Sequence, residues 1–126
     1  MKGERPISEQ LNLTVSLRGT REVRKNCQIF RLTGLMDAFS EPNFRKVLNS
    51  ALDEGPANVI LDLSHIDFLD SSGLGTLVQI DKKAKTSSGS LQIIGNARVI
   101  QTVKLVRLEN YLILKPTLDD ALSALE

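Results

Sequence analysis

The sequence predicts an α/β domain, a mixed and mostly parallel sheet of about four to five strands with helices packed on it. Three observations carry this. "LNLTVSL" (residues 11–17) alternates apolar and polar residues, the period of a half-buried strand. "NVILDL" (58–63) and "LQII" (91–94) are near-continuous apolar runs of strand length, which suit strands covered on both faces of a parallel sheet. Between such runs, apolar residues recur at helical spacing, so strand and helix alternate along the chain.

Taken in order, residues 1–10 are polar, contain Pro6 and read as a flexible lead-in, with a single domain over 11–126. "LNLTVSL" is the first strand. "RGTREVRKN" follows as a polar, basic connection (residues 18–25 hold Arg18, Arg21, Arg24 and Lys25), and "CQIFRLT" is the second strand. The simplest pairing is a hairpin of these two strands across a long loop. "SEPNFRKVLNSALDEG" then places Phe44, Val47, Leu48, Ala51 and Leu52 on one helical face. Ser40 stands at the N-cap, Pro42 in the first turn and Gly55-Pro56 at the end. "NVILDL" is the third strand, with His65 in the turn after it. A helix over roughly 72–85 turns Leu74, Leu77, Val78, Ile80 and Ala84 inward. "LQII" is a further strand, a third helix carries Val99, Ile100, Val103 and Val106, and "YLIL" is a short edge strand. "TLDDALSAL" closes as an amphipathic helix with Thr117 and Asp120 at capping-box spacing.

Composition narrows the function classes. Of 126 residues, 41% are hydrophobic and 25% charged, ordinary for a globular domain. Four Phe, one Tyr and no Trp offer little for a base-stacking platform, and a net charge of +1 gives no field favouring nucleic acid or an acidic membrane. Cys27 is the single cysteine and cannot form an internal disulfide, which fits a reducing, cytoplasmic setting. No apolar run reaches membrane-spanning length, so no membrane partner is expected.

The stretch with most chemistry is "FLDSSGLGTL" (68–77), where an apolar strand changes into a helix. Ligands of open α/β sheets collect beyond the carboxyl ends of strands. Two such ends stand out, "LTGLMD" ending at Asp37 and "IDFLDSSGLG" around Asp70, Ser71 and Ser72. They meet at one edge if their strands run parallel side by side. Ser71 and Ser72 fall in the first helical turn, where free backbone N–H groups and the helix dipole stabilise a phosphate. Gly73 and Gly75 are expected to leave the approach to the serines open. Asp70 also reads simply as an N-cap.

"VILDLSHIDFLDSSGLGTL", together with "RLTGLMD" and the closing "LDDALSAL", resembles the STAS domain of bacterial anti-sigma-factor antagonists. The likeness extends over most of residues 11–126. It implies a STAS-like fold and a binding module that is not itself an enzyme and needs no cofactor. Its partners would be an anti-sigma factor that is a serine kinase and a PP2C-type phosphatase. The kinase would phosphorylate the serine directly after the aspartate, Ser71, and so end the antagonism; the phosphatase would restore it. Ser72 matches the next position and Asp37 the aspartate after the Thr-Gly turn. The chain departs from the family pattern where Leu35 and Met36 follow that turn, and again at "RLENYL". Met36 reads first as a packing residue, but with Leu35 beside Asp37 it offers an apolar contact, so both join Asp37, Asp70, Ser72, Gly73 and Gly75 as the expected partner surface.

The alternative from another class is a nucleotide-binding or serine-hydrolase-like domain using the same turn. Against it, Gly-x-Ser-x-Gly is absent, "SSGLG" lacks the Lys-Ser/Thr ending of a P-loop, and one Cys with one His makes no metal-ligand set.

Overall fold

The computed structural model describes residues 7–126. The elements run β1 (Ile7–Thr14), β2 (Leu17–Val23), β3 (Gln28–Met36), α1 (Glu41–Glu54), β4 (Asn58–Leu69), α2 (Ser71–Thr86), β5 (Ser90–Ile94), α3 (Ala97–Leu105), β6 (Ile113–Lys115) and α4 (Leu118–Ser123). The strands form one six-stranded sheet in the order β1-β2-β3-β4-β5-β6. β1–β2 and β2–β3 pair antiparallel. The pairs β3–β4, β4–β5 and β5–β6 are parallel. This is the mixed, mostly parallel class, with six strands where about four to five were expected.

The extra strand is "LRGTREV". It is β2, a full member of the sheet, and not the basic connection that its polarity implied. Leu17 and Glu22 are buried, and Glu22 holds Arg24 at 2.6 Å and Arg31 at 3.5 Å. Arg18, Thr20 and Glu22 share one face of the strand, so no apolar alternation marks it. β3 therefore pairs with β2 through a short turn, and β1 is not its partner. β1 begins at Ile7, inside the stretch read as a lead-in; residues 1–6 of that stretch lie outside the described residues.

β4 is also longer than its apolar run. It continues to Leu69 and carries His65 opposite Thr33, so His65 is a strand residue and not part of a turn. Register shifts against β3, between Arg31 and Thr33 and between Gly34 and Leu35, break the simple period, while Ile66 and Leu69 stay buried. Gly34 has φ +119°, a conformation side chains resist, and a Cβ there would collide with the Ser16 carbonyl.

α1, α2 and α3 cover one face of the sheet. Phe44, Leu48, Leu77, Ile80, Val99 and Val103 pack there against Phe30, Leu32, Leu61, Leu63 and Ile93. α4 covers part of the other face, where Ala121 meets Cys27, Ile29, Ile60 and Ile94. The Gln92 amide ties that helix down by donating to the Ala121 carbonyl at 3.0 Å. Thr117 caps α4 by accepting from the Asp120 N–H at 3.1 Å. Burial raises the Cys27 thiol above its ordinary value and keeps it protonated. Val106 follows the end of α3 and is exposed, outside the buried face expected for it.

Candidate functional site

β3 and β4 are adjacent and parallel, with Leu35 opposite Phe68 and Met36 opposite Leu69. Their carboxyl ends leave the sheet side by side, and the chain enters α1 from one and α2 from the other. The Asp70 N–H donates to the Met36 carbonyl at 3.2 Å, which extends the pairing one residue past both strands.

Asp70 has extended backbone and stands at the N-cap of α2. Its Oδ1 accepts from the Ser72 N–H at 2.9 Å and the Gly73 N–H at 3.1 Å, satisfying donors that the helix cannot pair. Its Oδ2 accepts from the Ala38 N–H at 3.2 Å. One carboxylate thus caps one helix and grips the loop that leads into the other.

Asp37 is organised just as closely. Its Oδ1 accepts from the Ser40 N–H at 3.0 Å and the Phe39 N–H at 3.1 Å, with the Ser40 hydroxyl 3.2 Å away. The Ser40 hydroxyl donates to the Leu35 carbonyl at 2.8 Å and accepts from the Asp37 N–H at 3.1 Å. Ser40 does occupy the N-cap position of α1, but its side chain makes no cap bond; it is buried and braces the Asp37 turn instead. The Ser40 N–H, followed by the Ser40 hydroxyl and the Phe39 N–H, holds the Asp37 carboxyl below its ordinary range. Asp37 is therefore an anion at neutral pH.

A second link joins the two helices. The Thr76 hydroxyl of α2 donates to Glu41 Oε2 of α1 at 2.6 Å, and Arg45 Nε lies 2.7 Å from the same oxygen. The Thr76 bond, with help from Arg45, lowers the Glu41 carboxyl.

Ser71 is the first residue of α2 and is exposed; Ser72 is half-buried, its N–H already engaged by Asp70. Gly75 is exposed, with open space where a Cβ would stand. Two of the expected surface residues are not on the surface. Gly73 is buried, and a Cβ there would stand 2.6 Å from Leu69 Cδ1 and 3.0 Å from the Met36 carbonyl oxygen. Its role is to let α2 approach the strand ends, and it does not open a path to the serines. Met36 is 1% exposed and packs in the main core, because β3 runs through it with its side chain turned towards the helices. Leu35 is half-buried beside the turn between β1 and β2, where its N–H donates to the Ser16 carbonyl at 2.8 Å.

Sequence reasoning took Ser40 only as an N-cap and did not pick out Thr76, Phe39 or Phe68. Thr76 acts through a contact with Glu41 of a distant segment, for which a single sequence carries no signal, while Ser40 acts locally through bonds to Leu35 and Asp37. Phe39 is 69% exposed and Phe68 46% exposed, although an apolar residue beside a strand normally reads as core.

The arrangement presents the exposed Ser71 hydroxyl at the positive end of a 16-residue helix, with Asp70 at its cap and Asp37 in the neighbouring turn. His65 belongs to a different group: its Nδ1 lies 3.3 Å from Ser64 Oγ, and that hydroxyl is 2.6 Å from Asp62 Oδ1. Among the described residues, no group of three His, Cys, Asp or Glu is placed to hold a metal ion. No helix among them is long and apolar enough to cross a membrane.

Several solved structures share this fold. An anti-sigma factor antagonist from Mycobacterium paratuberculosis is 25% identical, with a TM-score of 0.79 over 86% of this chain and 93% of that one. SpoIIAA, an anti-sigma factor antagonist, in its unphosphorylated form is 19% identical, with a TM-score of 0.73 over 85% of this chain and 95% of that one. The Bacillus cell fate determinant SpoIIAA in its phosphorylated form is 17% identical, with a TM-score of 0.67 over 86% of this chain and 99% of that one. A sequence model of the STAS domain matches residues 20–121. That span begins within β2, includes both strand-to-helix junctions and ends in α4, and on that match the chain belongs to the STAS domain family.

Proposed function

We propose that this STAS domain is an anti-sigma-factor antagonist whose partner binding is switched by phosphorylation of Ser71. The observation that carries the reading is the exposed Ser71 hydroxyl at the start of α2, beside a carboxylate that caps the helix and a second one locked in the neighbouring turn. The structural neighbours support it, since two are anti-sigma factor antagonists and SpoIIAA exists in unphosphorylated and phosphorylated forms.

In this reading an anti-sigma factor with serine kinase activity is both target and modifying enzyme. Ser71 Oγ attacks the γ-phosphorus of ATP, the bond from that phosphorus to ADP breaks, and the hydroxyl proton leaves to a base of the kinase. The catalytic groups are the kinase's; the domain contributes the acceptor and its setting. The new phosphate adds about −1.5 to −2 charges at neutral pH. The positive end of the helix dipole tolerates it, so the fold survives. Asp37 and Asp70 make the modified surface strongly anionic, and a partner that fitted the neutral serine is repelled. Hydrolysis of the phosphoserine by a PP2C-type phosphatase resets the switch.

The test is direct. Purified wild type and Ser71→Ala are incubated with native cell extract and ATP, and phosphate is mapped by peptide mass spectrometry. Phosphate on Ser71, absent from the variant, is the expected result. An unmodified Ser71 in extract that phosphorylates other proteins overturns the reading, and phosphate confined to Ser72 moves the acceptor by one residue.

A further inference from the structure

The end of the sheet that carries Ser71 also carries three large apolar side chains exposed to solvent: Val15 at 96%, Phe39 at 69% and Phe68 at 46%. Their positions follow from contacts already described. Phe39 is next to Ala38, whose N–H is held by Asp70. Phe68 lies two residues before Asp70 in β4, opposite Leu35. Val15 forms the tip of the turn between β1 and β2, next to Ser16, whose carbonyl accepts the Leu35 N–H. Strand register, backbone bonds and chain adjacency therefore place Val15, Leu35, Phe68, Asp70 and Phe39 at the same end of the sheet, with Ser71 following Asp70.

Folding does not account for this exposure. Phe44, Leu69 and Met36, close by in sequence, are all buried in the main core. A large apolar side chain left in water next to a reactive hydroxyl is what an interface anchor looks like before its partner arrives. Asp37, Asp70 and the exposed Asp67 lie among the three, so the complementary surface is basic as well as apolar.

We infer that Val15, Phe39 and Phe68 form an apolar rim by which the kinase that phosphorylates Ser71 grips this domain, and that the rim sets which kinase is accepted. The inference rests on the phosphorylation reading above. The kinase is the occupant because the Ser71 hydroxyl reaches a bound nucleotide only when the kinase surface closes over the residues around it. Those residues are this rim and the acidic groups within it. Side chains that lose all their water at the centre of such a contact dominate its affinity, while the carboxylates steer the encounter.

The test measures the rate of Ser71 phosphorylation in native cell extract with ATP, for the full chain and its variants. Phe39→Ala and Phe68→Ala are each expected to lower the rate at limiting substrate by about tenfold or more. Phe39→Leu and Phe68→Leu, which keep apolar bulk, should recover most of it. Leu105→Ala is the control: Leu105 is 76% exposed at the end of α3, which returns to the opposite end of the sheet, and its rate should equal wild type. Thermal melts confirm that each variant is folded. Wild-type rates in both Phe→Ala variants overturn the rim and leave the phosphorylation reading intact. An equal loss in Leu105→Ala also overturns it. A wild type that is never phosphorylated removes both proposals together. If the Phe→Ala variants keep the wild-type rate but convert a wild-type dimer to a monomer, the rim binds a second copy of this chain, and the kinase assignment is overturned.

Discussion

The Asp70 carboxylate holds the Ala38 N–H at 3.2 Å with one oxygen while its other oxygen caps α2. The entry to α1 is thereby fastened to the entry to α2. Asp70→Ala removes both contacts, and urea unfolding should show a loss of about 1–2 kcal/mol, the scale of a strong N-cap. Asp70→Asn should lose less, since its amide oxygen can still cap the helix.

Two glycines two residues apart should respond in opposite directions. A Cβ at Gly75 meets nothing within 4 Å. Gly75→Ala should therefore raise stability by roughly 0.5–1 kcal/mol through helix propensity alone. At Gly73 the new Cβ would stand 3.0 Å from the Met36 carbonyl oxygen, part of a backbone that cannot easily retreat. Gly73→Ala should cost about 1–3 kcal/mol. Thermal melts of the two variants decide the matter, and a neutral Gly73→Ala would refute the close-packing account.

Charge is the essence of the proposed switch, so two substitutions at Ser71 should separate. Ser71→Asp places a permanent anion at the start of α2 and should abolish kinase binding. Ser71→Ala adds none and should bind as wild type does. Equal binding by both would sink the charge mechanism while leaving Ser71 as an acceptor.

Strong acid should loosen the Asp37 turn. Asp37 and Glu41 both titrate below their ordinary values of 3.8 and 4.5. Depressed carboxyls contribute stability that is fully present above the unfolded-state values and is lost as pH falls through the folded ones. The amide proton resonances of Phe39 and Ser40 should therefore shift only as pH falls below the ordinary aspartate value of 3.8. Asp37→Asn should abolish that transition. A transition retained in Asp37→Asn would assign it to another group.

Much of this site is legible in the sequence because its signals are local. Asp70-Ser71-Ser72 announces a helix start wherever it falls, and the apolar run before it announces a buried strand. What is not legible depends on segments far apart in the chain. β2 hides because Arg18, Thr20 and Glu22 make a polar row on one of its faces, so no apolar alternation marks it. The length of β4 hides because the register slips against β3 break its period. Gly73 was misread for a related reason: a small residue beside a serine suggests access, and only its contacts with Leu69 and Met36 show that closeness of packing selects it. Phe39 and Phe68 are the opposite case, apolar residues whose exposure no periodicity reports.

The spatial order of the strands is the order of the chain, β1 to β6, so each strand is laid down beside its predecessor. Such a sheet can be assembled during synthesis without any strand waiting for a later one to separate it from its neighbour. Asp37, Asp70 and Ser71 all lie on segments complete by the first turn of α2, ahead of β5, α3, β6 and α4. The surface around Ser71 can therefore take shape on a nascent chain while about two-fifths of the sequence is still being made.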